Sequence, residues 1–147
     1  MTISRKGLCA VYGLIGLTTL VGAYGNVLDM LAQKGFFGGT LQFWRDLFVN
    51  ESTQFLAVDI LFLGLGIIVW MLIEARRLGI PAVWGYIFLA LFIHISTAVP
   101  LFLIHREIKL GEADPASPGG TLRPMDVVGL LVLSIVFVGV IGLTWTR

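Results

Sequence analysis

The residues of this chain that could do chemistry are few, and they stand where charge is expensive. Asp59 lies in LAVDILFLGLG, His94 and Thr97 lie in LFIHISTAVP, and Asn26 closes the first apolar run. An ionised carboxylate at the centre of a membrane span costs about 2.5–3.5 kcal/mol on insertion scales unless a partner meets it. Counted along ideal helices at about 1.5 Å per residue, Asp59 is ~6–10 Å and His94 ~15 Å from one membrane face. Asn26 ends its run on that same face. The three therefore share one half of the bilayer, with Thr97 one turn beyond His94 on its helical face. An Asp59–His94 hydrogen bond with Asn26 nearby would give a carboxylic acid or anchor beside an imidazole. The structural alternative is hydrogen-bonded glue between helices for Asp59 and His94, a polar helix end for Asn26, and bonding of Thr97 back to its own helix carbonyls.

Elements long enough to carry these residues follow from composition. The 147-residue chain is 57% hydrophobic and only 13% charged. Soluble domains carry roughly 25% charged residues, so this chain lacks the polar shell of a soluble enzyme or nucleic-acid binder. A bilayer core of about 30 Å needs ~20 apolar helical residues. Four runs qualify, at about 8–28, 55–73, 82–104 and 127–145. Period-two alternation is absent from them, which disfavours a β-barrel. The fold class expected is an all-α membrane protein, a four-transmembrane-helix bundle forming one domain over 1–147. Arg5 and Lys6 ahead of the first run imitate a signal peptide, but the run is too long for an h-region and is read as an uncleaved span.

The links differ in kind. Phe43, Trp44, Leu47 and Phe48 fall on one helical face and Arg45 and Asp46 on the other, predicting a short interfacial amphipathic helix over about 41–49. Gly38–Thr40 is its expected start, and Glu51–Thr53 resembles the start of the second span. Gly79 suits a helix end and Pro81 a helix start, so spans two and three are read as an antiparallel hairpin. Trp70, Glu74, Arg76, Arg77 and Trp84 form an aromatic and charged belt at that hairpin, with Trp44, Arg45 and Arg106 as further interfacial anchors. Pro100 removes a backbone bond to residue 96 and predicts a kink near Ser96–Thr97. A Pro- and Gly-rich stretch over about 107–123 reads as a flexible loop.

Charge and absent motifs narrow the function. A net charge of +1 offers no basic surface for nucleic acid, and the single cysteine, Cys9, excludes an internal disulfide. No metal site is expected, because His94 and His105 are eleven residues apart at different depths, and no cofactor signature is present. With four spans, Arg5, Lys6, Arg76, Arg77 and Arg147 face Lys34, Arg45, Arg106, Lys109 and Arg123 across the membrane. The cations of the short hairpin and of the first span's flank tip this tie towards both termini in the cytoplasm.

A spaced set of residues runs through the centre of the chain. It comprises Asp46-Leu47-Phe48 with Asn50, then Phe55, Asp59, Val69 and Glu74. It continues through Arg76-Arg77-Leu78-Gly79, Trp84 with Tyr86, Pro100-Leu101-Phe102-Leu103, and Arg106-Glu107. This pattern resembles the small bacterial and cyanobacterial membrane proteins grouped as domain of unknown function 2834. The resemblance covers under half the chain. It implies a multi-span protein of an inner- or thylakoid-type membrane and carries no activity with it.

Three functions fit these features. The first is a small accessory or assembly subunit of a larger membrane complex, with no reaction of its own. The second is a binding protein or enzyme for a lipophilic molecule such as an isoprenoid, quinone or carotenoid, using Asp59 and His94. The third is an oligomeric transporter or channel.

Overall fold

The structure is a computed structural model and describes residues 4–115, 120 and 122–145. Among them every regular element is helical: α1 (Arg5–Tyr24), α2 (Leu28–Asp46), α3 (Glu51–Leu78), α4 (Val83–Leu89), a π-helical stretch (Ala90–His94), α5 (Ile95–Ala113) and α6 (Pro124–Trp145). Four helical segments are long and apolar enough to cross a membrane: Arg5–Tyr24, Glu51–Leu78, Val83–Ala113 and Pro124–Thr144.

Local chemistry sets the ends. Ser4 Oγ accepts from the Gly7 amide at 3.1 Å and caps α1. Asn50 and Thr53 cap α3 reciprocally, side chain to backbone in both directions. α3 stops at Gly79, whose left-handed φ of 62° is open to glycine at little cost. Asp126 Oδ2 accepts from the Arg123 amide at 2.8 Å at the start of α6.

The segment from Val83 to Ala113 does not run straight. Tyr86 Oη and His105 Nδ1 share a hydrogen bond at 2.9 Å, and the rings of Tyr86 and Phe102 stand 5.7 Å apart. On one continuous helix residues 86 and 105 would be about 28 Å apart. The chain turns back at His94, which has φ −168° and ψ 123° between the π-helical stretch and α5. The kink expected from Pro100 near Ser96–Thr97 is therefore displaced to His94. Pro100 sits inside regular α5. The Ser96 carbonyl, which proline cannot bond, lies 3.1 Å from Thr19 Oγ1 of α1, whose single O–H is shared with the Ile15 and Gly16 carbonyls of its own helix at 2.9 and 3.1 Å.

The reversal changes the topology. α3 and α5 run parallel, since Glu74 meets Arg106 and a Cβ on Gly64 would stand 3.1 Å from Ile95 Cδ1. The antiparallel partner that follows α3 is the short α4. α1 runs antiparallel to α5 along its whole length, and the two make more contact with each other than any other pair of elements. Its successive contacts with α5 are Arg5 to Glu107 at 3.5 Å, Thr97 Oγ1 to the Gly16 carbonyl at 3.4 Å, and Thr19 to Ser96. α6 lies beside α1 in the same direction: Gly120 faces Leu8, and Gly22 faces Ile141. The start of α1 and the end of α6 thus occupy opposite ends of the bundle, whereas four simple crossings place them together.

Other boundaries also move. The helix expected over 41–49 is the second arm of α2, which breaks at Gly35 with φ 69°. Gly38–Thr40 is inside that arm, where Thr40 Oγ1 donates to the Phe36 carbonyl at 2.8 Å. The loop expected over 107–123 is helical as far as Ala113, while 116–119 and 121 lie outside the described residues, as does Arg147. The core is small and sits at the Arg5 end of the bundle, where Met71, Ala75, Ile80 and Phe102 are buried.

Thr19→Val should cost roughly 0.6–1.7 kcal/mol in a detergent unfolding titration, the range of interhelical hydrogen bonds in membranes. In a Pro100→Ala background, where residue 100 regains its own N–H, the same substitution should cost clearly less. Equal costs in both backgrounds would mean that Thr19 does not serve the Ser96 carbonyl.

Candidate functional site

Two polar sites emerge, one at the Arg5 end of the bundle and one from its middle towards the opposite end, and neither is the Asp59–His94 pair. The first is a chain of ions over α1, α3 and α5. Glu74 accepts from Arg77 at 2.7 and 2.6 Å and from Arg106 Nε at 2.6 Å. Arg106 Nη1 donates onward to Glu107 at 2.9 Å, and Arg5 Nη1 reaches the other Glu107 oxygen at 3.5 Å. Both carboxylates are buried, with Glu74 7% and Glu107 5% exposed. Charges so buried are tolerable only when paired and hydrogen-bonded, and here every carboxylate oxygen has a guanidinium donor. Phe102 floors the cluster, edge-on to both Trp70 and Tyr86.

The sequence reading put Glu74, Arg77 and Arg106 at opposite membrane faces. The fold-back at His94 brings them together. Glu107 and Arg5 were not singled out as site residues. Arg5 was marked only as a flank of the first apolar run, and Glu107 only as the neighbour of Arg106 at the end of the third and in the family pattern. Among the other interfacial anchors, Trp84, Arg76 and Arg45 are exposed, and Trp70 rests on Phe102.

The second site is a cavity of about 160 Å³ between the end of α1, the second arm of α2 and the π-helical stretch. His94 lines it together with Tyr24, Phe36, Trp44 and Phe92. His94 Nδ1 is buried with no hydrogen-bond partner among the described residues. Three departures from α-helix make the walls: the turn after Tyr24, the break at Gly35 and the reversal at His94. Tyr24, Phe36 and Phe92 carried no signal in the sequence, because the elements that bring them together are far apart in the chain.

Asp59 belongs to neither site. It is exposed on α3 and has no hydrogen bond or ion pair among the described residues. Gly64 marks the face of α3 that meets α5. Five residues of helix rotate Asp59 about 140° from that face and move it about 7 Å along the axis. Asn26 Nδ2 donates to the Gly22 carbonyl of its own helix at 2.7 Å. Thr97 is buried against Gly16. His94 is thus the one member of the expected constellation placed at a cavity. No group of His, Cys, Asp and Glu among the described residues could hold a metal ion.

Residues 11–108 match the family model described as Protein of unknown function DUF2834, and the chain belongs to that family. The match takes in α1 from Val11, which the resemblance over the centre of the chain did not reach, and it stops short of α6. No curated protein and no solved structure matches the chain.

Glu74→Ala should lower stability by on the order of 2–3 kcal/mol, because Arg106 loses a buried charged acceptor. Arg77→Ala removes an exposed guanidinium and should cost far less. Equal losses in chemical unfolding would mean that Glu74 is not the hub. A double-mutant cycle between Asp59→Asn and His94→Gln should be additive within about 0.5 kcal/mol. A larger coupling would put the two side chains in contact.

Proposed function

We propose that this protein is a small membrane-embedded subunit that docks into a larger membrane assembly through the uncovered half of α3. The observation that supports this is Asp59: a carboxylate about 12 Å along α3 from Glu51, exposed and unpartnered among the described residues. Its neighbours one turn either way, Phe55 and Phe62, are 73% and 71% exposed. In lipid such a carboxylate is costly, and a helix offering a cation or hydroxyl at that depth relieves the cost. A symmetric copy would set one Asp59 against another, so a different partner is favoured over a self-assembled channel. The ion cluster fits a structural role, since its carboxylates are already saturated, and no reaction is assigned to the chain.

Orientation follows from the same topology. Arg5, Lys6, Arg76, Arg77, Arg106, Lys109 and Arg123 gather at one end of the bundle, and Lys34 and Arg45 lie towards the other. The cation-rich end is proposed to face the cytoplasm. The membrane is proposed to be of the inner or thylakoid type, as the resemblance implies.

Native mass spectrometry after mild-detergent purification from the source membrane should give a heteromeric mass of fixed stoichiometry. Asp59→Leu should release the chain from its partner while leaving it inserted. A wild-type monomer carrying only bulk lipid, or a complex indifferent to Asp59→Leu, would sink the docking reading. Topology reporters fused at residue 1 and after residue 147 should report opposite faces, the first cytoplasmic. Both reporters on one face would contradict the reversal at His94.

A further inference from the structure

We propose that the cavity at the His94 reversal is a binding site for a lipophilic molecule whose head is a six-membered ring bearing a carbonyl or hydroxyl oxygen, the chemistry of membrane quinones and quinols. Size is the first argument. The cavity holds about 160 Å³, and an apolar cavity of about 150 Å³ accepts one benzene ring. It has room for a ring head, with the tail left in the bilayer.

The wall chemistry is the second. Tyr24, Phe36, Phe92 and Trp44 line the half-open space with aromatic surface suited to stacking or edge contact with a ring. Against this apolar lining stands His94, whose Nδ1 is buried and unpartnered among the described residues. A neutral imidazole carries one N–H and one lone pair. Nδ1 is closed to water, so Nε2 is the nitrogen a ligand oxygen would meet: a ring carbonyl accepts when Nε2 carries the hydrogen, and a ring hydroxyl donates when it does not. The Tyr24 phenol has no hydrogen bond among the described residues and offers a second polar contact.

Position is the third argument. His94 adjoins Ile95, which faces Gly64, near the midpoint of α3 and about 20 Å from either end of that helix. A ligand reaches such a level through lipid, which selects a lipophilic molecule over a water-soluble one. The backbone there is also unusual. A five-residue π-helical stretch, a type of irregularity frequent at functional sites, forms one wall and ends on His94 in extended conformation. The site stands apart from the Asp59 face, and neither proposal depends on the other.

The test uses the full chain reconstituted in phosphatidylcholine nanodiscs. A decyl-substituted benzoquinone is titrated in and tryptophan fluorescence is followed, with Trp44 in the cavity wall as the reporter. The expected result is a saturable quench above the linear quench from partitioning, its amplitude cut by Trp44→Phe. Ala23→Phe fills the cavity without touching His94 and should abolish the saturable phase. His94→Leu should raise the midpoint at least tenfold. Decylbenzene, which keeps the ring and tail but carries no oxygen, should compete at least tenfold less well. Should His94→Leu fail to fold, Ala23→Phe and decylbenzene still decide the matter. A purely linear quench, or a saturable phase unchanged by Ala23→Phe, overturns the site. Decylbenzene competing as well as the quinone overturns the role of the oxygen.

Discussion

Glu74 and Glu107 can be buried in this bundle only because guanidinium groups from α1, α3 and α5 converge on them. Either carboxylate alone at that depth would have to be neutralised or excluded. The consequence is geometric. The Arg5 end of α1, the Glu74 end of α3 and the Arg106 end of α5 must coincide, so α3 and α5 have to run in the same direction. A chain with only a four-residue turn after α3 can meet that demand in one way. It descends through α4, reverses inside the apolar zone and climbs again as α5. The ion cluster and the His94 reversal are two sides of one constraint.

Reversing direction within lipid exposes backbone groups that water cannot satisfy. α5 is most vulnerable in its first turns, where Pro100 withholds a donor from the Ser96 carbonyl. α1 supplies the replacement. Thr19 brings its O–H, shared with carbonyls of its own helix, within 3.1 Å of that carbonyl, Gly16 lets the two helices approach until its Cβ position is 3.4 Å from Pro100 Cβ, and Thr97 donates back to the Gly16 carbonyl. This mutual service explains why α1 is bound to α5 along its length, while α6, with no comparable polar exchange, leaves its apolar surface to the bilayer.

The apolar segments were legible because length and hydropathy are local properties. So were the α3 start near Glu51 and its end at Gly79, which rest on capping chemistry within a few residues. The reversal was not. The stretch from Ala90 to His94 contains no glycine or proline, and its bend is imposed by distant partners, Tyr86 on His105 and Glu74 on Arg106. Hydropathy reports that a segment can cross but carries no information on its direction. The even division of basic residues between two faces was therefore an artefact of assuming four alternating crossings. His94 was recognisable as an ionisable group at depth, and Asp59 equally so. Pairing them assumed that they share a helix face, and it fails because Asp59 lies about 140° around α3 from the face that meets Ile95.

The distribution of features along the chain bears on where function resides. The family match ends at residue 108 and begins at 11. Asp59, every wall of the His94 cavity and the pairs among Glu74, Arg77, Arg106 and Glu107 lie inside those limits. Arg5, outside them, contributes the longest contact of the ion cluster, and α6 contributes almost no packing. The matched portion therefore contains an end closed by paired carboxylates and a small core, and, from the middle of α3 towards Glu51, an unpaired carboxylate and a ring-sized pocket. Rigidity at the ion cluster holds α1, α3 and α5 in register, which fixes the spacing between the cavity and the exposed face of α3.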